Sequence, residues 1–145
     1  MKCIDTLYWN YLTQKAYKKF RENDHYSYIV DTEGRVFRYN KIKKTMREMK
    51  CSQADHKYKI LILDGGKTYY YIHRLVYEMF IGPIPEGKVI DHIDNHQSNN
   101  CYKNLQAITQ YENTKKYMDE VYWEEQLNNA SNITIDYSKY QLEGV

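Results

Sequence analysis

Residues 89–116 read VIDHIDNHQSNNCYKNLQAITQYENTKK. VIDHID has the apolar, β-branched character of a short strand. NHQSNNCYKN is too polar for anything but a loop, and LQAI returns as a second short strand. Thr109-Gln110-Tyr111-Glu112 matches a T-x-x-E capping box, so a helix is expected to start at Gln110 and to run through Lys116 towards Leu127. Within this strand, loop, strand, helix unit, Asp91 and His92 stand together on or beside the first strand. Asn104 follows twelve residues after His92, and Asn113 nine residues after that, one turn into the capped helix. A strand pair folding back on a helix would bring Asp91, His92 and Asn113 towards one cleft.

Working outward, Gly82-Pro83 and Pro85 make a loop that stops a short helix over HRLVYEMF, residues 73–80. Before it, HKYKILIL and TYYYIH flank Asp64-Gly65-Gly66-Lys67, a hairpin signal. YSYIV and RVFRY flank Asp31-Thr32-Glu33-Gly34, a second one. Between the hairpins, KIKKTMREMK (residues 41–50) carries five bases in ten residues. At the start, Ile4, Leu7, Tyr8, Tyr11, Leu12 and Phe20 fall near a period of 3.6, which predicts an amphipathic helix over residues 4–20.

The chain has 145 residues, within the range of one compact domain, and a chain of this length buries roughly 70% of its unfolded surface without a disulfide or metal staple. Cys3, Cys51 and Cys101 stand far apart with no C-x-x-C, which argues against a disulfide framework and a zinc knuckle. No apolar run approaches the roughly 18 residues of a membrane span, and charges interrupt the first twenty residues, unlike a signal peptide. The expectation is therefore an intracellular protein with no membrane partner. Net charge is +2, but residues 118–145 hold six acids against one base, leaving +7 on residues 1–117. A basic body with an acidic tail fits a polyanionic partner. The 17 tyrosines could serve stacking or phosphate contacts, although an AT-rich genome produces the same enrichment.

The run D-H-I-D-x-x-x-x-N-N-x-x-x-N-L-x-x-x-T-x-x-x-N resembles the HNH nuclease motif, in the H-N-N form found in phage homing endonucleases. I-H-R-L-V (72–76) and E-G-R-V-F (33–37) look like the N-terminal half of that family. The likeness covers roughly residues 25–117. It implies an α+β fold with a ββα-metal core, preceded by β-hairpins and the N-terminal helix.

The resemblance also implies roles. Asp91 and Asn113 would give oxygen ligands to one divalent cation, Mg²⁺ or Mn²⁺, which suits hard oxygen donors and keeps several waters. His92 would be the general base, since a neutral imidazole can take a proton from water at neutral pH. Asn104 would tie down the long loop and fix where His92 points. Asp94 and His96 remain alternative ligands. His73 reads as a packed histidine, Asn99 and Asn100 as turn residues, and His25 and His56 as surface residues.

Double-stranded DNA would be held by Arg35, Arg38, Lys41, Lys43, Lys44, Arg47 and Lys50, with Lys57 and Lys59 on the neighbouring hairpin. The family's metal-bearing helix is expected against the minor groove, with Lys115 and Lys116 near the scissile strand. Phosphate contacts of this kind give affinity and register without sequence information. The expected organisation is a helical segment over 1–24, a basic hairpin region over 25–87, the catalytic motif over 88–118 and an acidic tail over 119–145. Family members often carry a C-terminal DNA-reading module. Here 118–145 is short and acidic, so DNA would be read weakly or by the N-terminal hairpins. The expected protein is phage-encoded, acts in the bacterial cytoplasm as a monomer or weak dimer, and cuts one strand per binding event. Two other readings stand beside it: a DNA-binding protein that keeps the fold without activity, and a nuclease that degrades DNA or RNA indiscriminately.

Overall fold

A computed structural model describes residues 2–3, 17–55 and 57–130. Its strands are β1 (Lys2–Cys3), β2 (Lys18–Glu22), β3 (Tyr26–Val30), β4 (Val36–Asn40), β5 (Thr45–Glu48), β6 (Ser52–Ala54), β7 (Tyr58–Leu63), β8 (Thr68–Tyr71), β9 (Lys88–His92) and β10 (Leu105–Thr109). The described residues also hold two α-helices, α1 (Ile72–Phe80) and α2 (Gln110–Ala130), and short 3₁₀ turns at Asp64–Gly66 and Tyr102–Asn104. The chain divides into two compact units after Ile108.

In the first unit, one sheet has the order β1-β5-β4-β3-β2 and another the order β6-β7-β8, while β9 pairs with β10. The hairpins form where turn chemistry places them. Asp31 is nearly fully buried and folds its own turn: Oδ1 accepts from the backbone N–H of Glu33 and Arg35, and Oδ2 from Arg35 Nε at 2.7 Å. Gly34 supplies the left-handed backbone that this turn needs, at φ +83°. In the second hairpin Asp64, Gly65 and Gly66 all take positive φ, and the Asp64 carboxylate accepts from Thr68 Oγ1 and from Arg21.

The core lies between these elements. Tyr28, Val30 and Val36 from the large sheet meet Leu61 and Leu63 of β7, Ile72, Leu75 and Val76 of α1, Ile90 of β9 and Leu105 of β10. Helix α1 reaches this core because residues 72, 75 and 76 share one face at helical spacing, while Arg74 and Glu78 stay exposed. On the opposite face of the large sheet, Ile29 and Met46 make a smaller cluster with Tyr17, Phe37 and Tyr39.

The N-terminal helix predicted over 4–20 needs correction at its end. Residues 18–22 are a strand paired antiparallel with β3, bulged between Lys19 and Arg21. Beyond Leu12 only Phe20 supported the helical period, and Phe20 instead packs on Tyr28 and Tyr70. Arg21 bonds Asp64 at 2.6 Å and Lys18 Nζ bonds the Met79 carbonyl at 2.7 Å, so the strand is tied from both sides. Residues 1, 4–16, 56 and 131–145, which include His56 and part of the acidic tail, lie outside the described residues.

In the second unit, α2 starts at the predicted residue. Thr109 Oγ1 accepts from Glu112 N at 3.1 Å, and Glu112 Oε2 accepts from Thr109 N at 2.9 Å, a reciprocal capping box. The helix runs on to Ala130 without a break at 118–119, where the catalytic motif was expected to give way to the tail. No described helix is long and apolar enough to cross a membrane.

Candidate active site

Strand β9 ends on His92. Alternation along β9 puts Ile90 and His92 inward, 7% and 3% exposed, and leaves Asp91 between them half-buried. The His92 ring lies 6.1 Å from Tyr58 and 5.2 Å from His73, and His73 stacks on Tyr58 at 4.8 Å. His92 Nε2 lies 2.8 Å from Asn100 Oδ1, and Asn100 is itself 3% exposed. On the opposite face of β9, Asp91 Oδ2 accepts from Gln106 Nε2 of β10 at 2.8 Å.

The loop from Ile93 to Asn104 closes on itself. Ile93 N donates to the Asn104 carbonyl at 2.8 Å, which joins the two ends. The Asn104 side chain then works inward: Oδ1 accepts from Asp94 N at 3.1 Å, and Nδ2 donates to Asp94 Oδ1 and to the Asn99 carbonyl, both at 2.9 Å. Asp94 Oδ1 also accepts from His96 N at 2.8 Å, and Oδ2 from Asn99 Nδ2 at 2.9 Å. These bonds, led by the Asn99 amide, hold the Asp94 carboxyl down at about 2. Asp94 is thus a loop latch with both oxygens engaged.

His73 is buried, as a packed histidine should be. Burial comes first, with His92 and Arg74 adding to it, and its imidazole is pushed down to about 4. It is a neutral aromatic wall behind His92 at physiological pH.

The other predicted residues fall as follows. Asn113 is half-buried in the first turn of α2, in the second unit, with Lys115 and Lys116 on the same helix. Asp91, His92 and Asn104 belong to the first unit, and that unit brings together His92, Asn100, Tyr58 and His73. Arg35 pairs with buried Asp31 and, at 3.2 Å, with Glu33, so its charge is answered within the turn. Arg38 lies over the Tyr26 ring at 4.5 Å and directly opposite Arg47 across β4 and β5. Lys41 pairs with Glu22 at 3.0 Å. Lys43, Lys44 and Lys50 are exposed, and the Asn40 side chain shapes the turn at 41–44 by accepting from Ile42 N and Lys43 N.

Sequence reasoning missed Asn100 and Gln106. The doubled asparagine at 99–100 was a signal for Asn100 but did not say which of the pair turns inward. Nothing marked Gln106 apart from its alternation with Leu105.

Among the described residues no three His, Cys, Asp or Glu side chains cluster as a ready metal cage. The half-buried Asp91 carboxylate is an oxygen donor of the kind that suits a hard cation keeping its waters and sharing oxygens with a substrate.

The family model described as HNH endonuclease matches residues 70–115. A prophage-derived protein of Bacillus subtilis (strain 168), YosQ from SPbeta, bears the name of an HNH homing endonuclease. It is 45% identical over 49 residues, which are 34% of this chain and 28% of that protein. The chain therefore spans under a third of that relative's length. The solved structure of the HNH homing endonuclease I-HmuI, concerned with DNA binding and cleavage, matches with a TM-score of 0.57 at 27% identity, over 80% of this chain and 67% of that one. Over residues 70–115 the chain is similar in sequence to the HNH endonucleases, and over 80% of its length its fold is similar to that of the HNH homing endonuclease I-HmuI.

Proposed function

We propose that the chain is a divalent-metal-dependent DNA endonuclease with His92 as its general base. The observation that carries this reading is the His92 environment: a buried imidazole at the end of β9, walled by Tyr58 and His73, hydrogen-bonded to Asn100 and adjacent in sequence to a carboxylate. A ring fixed on several sides and kept from bulk solvent is pre-organised for one proton transfer.

In the proposed reaction His92 takes a proton from a water whose oxygen attacks the phosphorus. The bond from phosphorus to the 3′ oxygen breaks, leaving 5′-phosphate and 3′-hydroxyl ends, and the 3′ oxygen ends with a proton from solvent. By their places in the motif, Asp91 and Asn113 would hold one Mg²⁺ or Mn²⁺, which would share water and phosphate oxygens with the substrate. When bound, that cation would stabilise negative charge on the phosphorus centre and the leaving oxygen. Gln106 holds the Asp91 carboxylate in orientation, and Asn104 keeps the loop shut behind His92.

DNA binding is assigned to the basic turn and β5. Like charges directly opposite in a sheet are destabilising, so Arg38 facing Arg47 beside the basic 41–44 turn favours a polyanion over that surface. With one such site per chain, a monomer would cut one strand per visit. The test is nicking of supercoiled plasmid with and without a chelator. His92→Ala should lose about 10²–10⁴-fold in rate while keeping DNA affinity. Cleavage by that variant within threefold of wild type would remove His92 from the reaction.

A further inference from the structure

We propose that Asn100 is a positioning residue for His92. Its side-chain oxygen holds the imidazole as the Nε2–H tautomer, and the turn of the first hairpin clamps Asn100 in place. The inference rests on His92 acting as the base and names the apparatus that aims it.

His92 Nε2 and Asn100 Oδ1 lie 2.8 Å apart, and both residues are 3% exposed. A carboxamide oxygen only accepts, so Nε2 must donate, and the basic lone pair of the neutral ring falls on Nδ1. The opposite tautomer would set two acceptors against each other in a buried place, which costs the desolvation of both. Asn100 therefore decides which nitrogen of His92 can take a proton.

What fixes Asn100 comes from a distant part of the chain. The hairpin turn at Thr32–Gly34 lies directly against it: a Cβ built on Gly34 would stand 2.7 Å from the Asn100 Cβ and 3.1 Å from Ile72 Cγ2. Two residues along, Tyr102 N donates to the Thr32 carbonyl at 2.9 Å, which pins the same loop to the same turn. The Gly34 position has no room for a side chain because the turn is pressed on the residue that orients the base. The turn itself is stiffened by buried Asp31.

The test uses the full chain labelled with ¹⁵N-histidine, at a pH where the imidazole is neutral, with the His92 signals assigned by their loss in His92→Ala. The expected wild-type spectrum shows one tautomer, protonated on Nε2, with that proton slow to exchange. Asn100→Leu, of similar volume and without an acceptor, should lose the slow proton and mix the tautomers. It should also lower kcat about 10–100-fold, as for other groups that orient a reacting imidazole, with KM for DNA unchanged. Asn100→Asp restores an acceptor oxygen and should recover both the signal and most of kcat. A wild-type ring protonated on Nδ1 overturns the proposal, and this holds even if neither variant folds. So does Asn100→Leu cleaving within threefold of wild type. If the wild-type spectrum is as expected but His92→Ala still cuts DNA, the assignment of the base has failed and the tautomer assignment has not.

Discussion

Asn104 makes three side-chain hydrogen bonds, and all of them land on the loop that follows His92. Removing them leaves the Asp94 carboxylate and the Asn99 carbonyl short of a donor. Asn104→Ala should destabilise the fold by about 2 kcal/mol, which for this chain length is roughly 4–8 °C in Tm. Thermal unfolding measures it, and an unchanged midpoint would mean that the loop is held elsewhere. Two groups nearby set the acid behaviour. Asp94, at about 2, binds its proton later than it would in the unfolded chain. Its contribution is full above about 3.9, where an ordinary Asp titrates, and is lost as pH falls through about 2. His73, at about 4, resists protonation that the unfolded chain accepts from about 6.5 downward. Stability should therefore be full near neutrality and decline between roughly pH 6.5 and 4, by about 3 kcal/mol. His73→Phe keeps an aromatic ring beside Tyr58 and removes the titration. Its chemical-denaturation midpoint should vary less over that window than wild type, and an equal slope in both would contradict the burial argument.

At the scale of elements, the first hairpin turn and the start of α2 carry the sharpest expectations. Gly34→Ala meets two obstacles, a positive φ and a Cβ within 2.7 Å of Asn100. The left-handed conformation alone costs an alanine about 1–2 kcal/mol. The overlap forces the turn off the 93–104 loop, so the total loss on denaturant unfolding should exceed that of a glycine replaced in open space. Gly65→Ala is the control, with φ +64° and no atom within 4 Å of a built Cβ. Equal losses at both glycines would show that the turn does not press on Asn100. At α2, Thr109→Ala removes one half of a reciprocal cap and should cost about 1 kcal/mol. Amide exchange should accelerate first at Glu112, whose N–H loses its bond to Thr109 Oγ1. Both elements were readable in the sequence for one reason: turn and cap chemistry acts over four or five residues.

Over the whole molecule, the decisive quantity is where the positive charge ends up. Arg35 and Lys41 spend theirs on Asp31 and Glu22. Among the described residues, Arg38, Lys43, Arg47 and Lys50 are the first candidates for phosphate contacts, with Lys44 exposed in the same turn as Lys43. Replacing Lys43, Lys44 and Arg47 together with Ala should weaken binding to all DNA sequences alike. The slope of log affinity against log salt should fall by roughly 0.9 for each phosphate that the variant no longer neutralises. An unchanged slope would return the cluster to ordinary solvated charge. Replacing Lys41 alone should move the slope less than replacing Lys43 alone, since Lys41 already has a carboxylate partner at 3.0 Å.

By itself the sequence determined the local pieces: both hairpins, helix α1, the pair of strands around the polar loop, and the capped start of α2. Each is written in a few adjacent residues, as with Asp31 to Gly34 or Thr109 to Glu112. The order Asp91, His92, Asn104, Asn113 was equally legible, because the motif is defined along the chain. Tertiary structure alone decided the rest. Residues 18–22 pair with β3 across the Asn23 turn, and what holds them there is remote: Phe20 meets Tyr70 and Arg21 meets Asp64, over forty residues on. Asn100 turned inward, and Asn99 outward to Asp94, because the tip of a hairpin nearly seventy residues earlier closes over the loop. Gln106 met Asp91 through strand pairing. These contacts join residues distant in sequence, and their energies come from burial and from partners that no window of sequence contains.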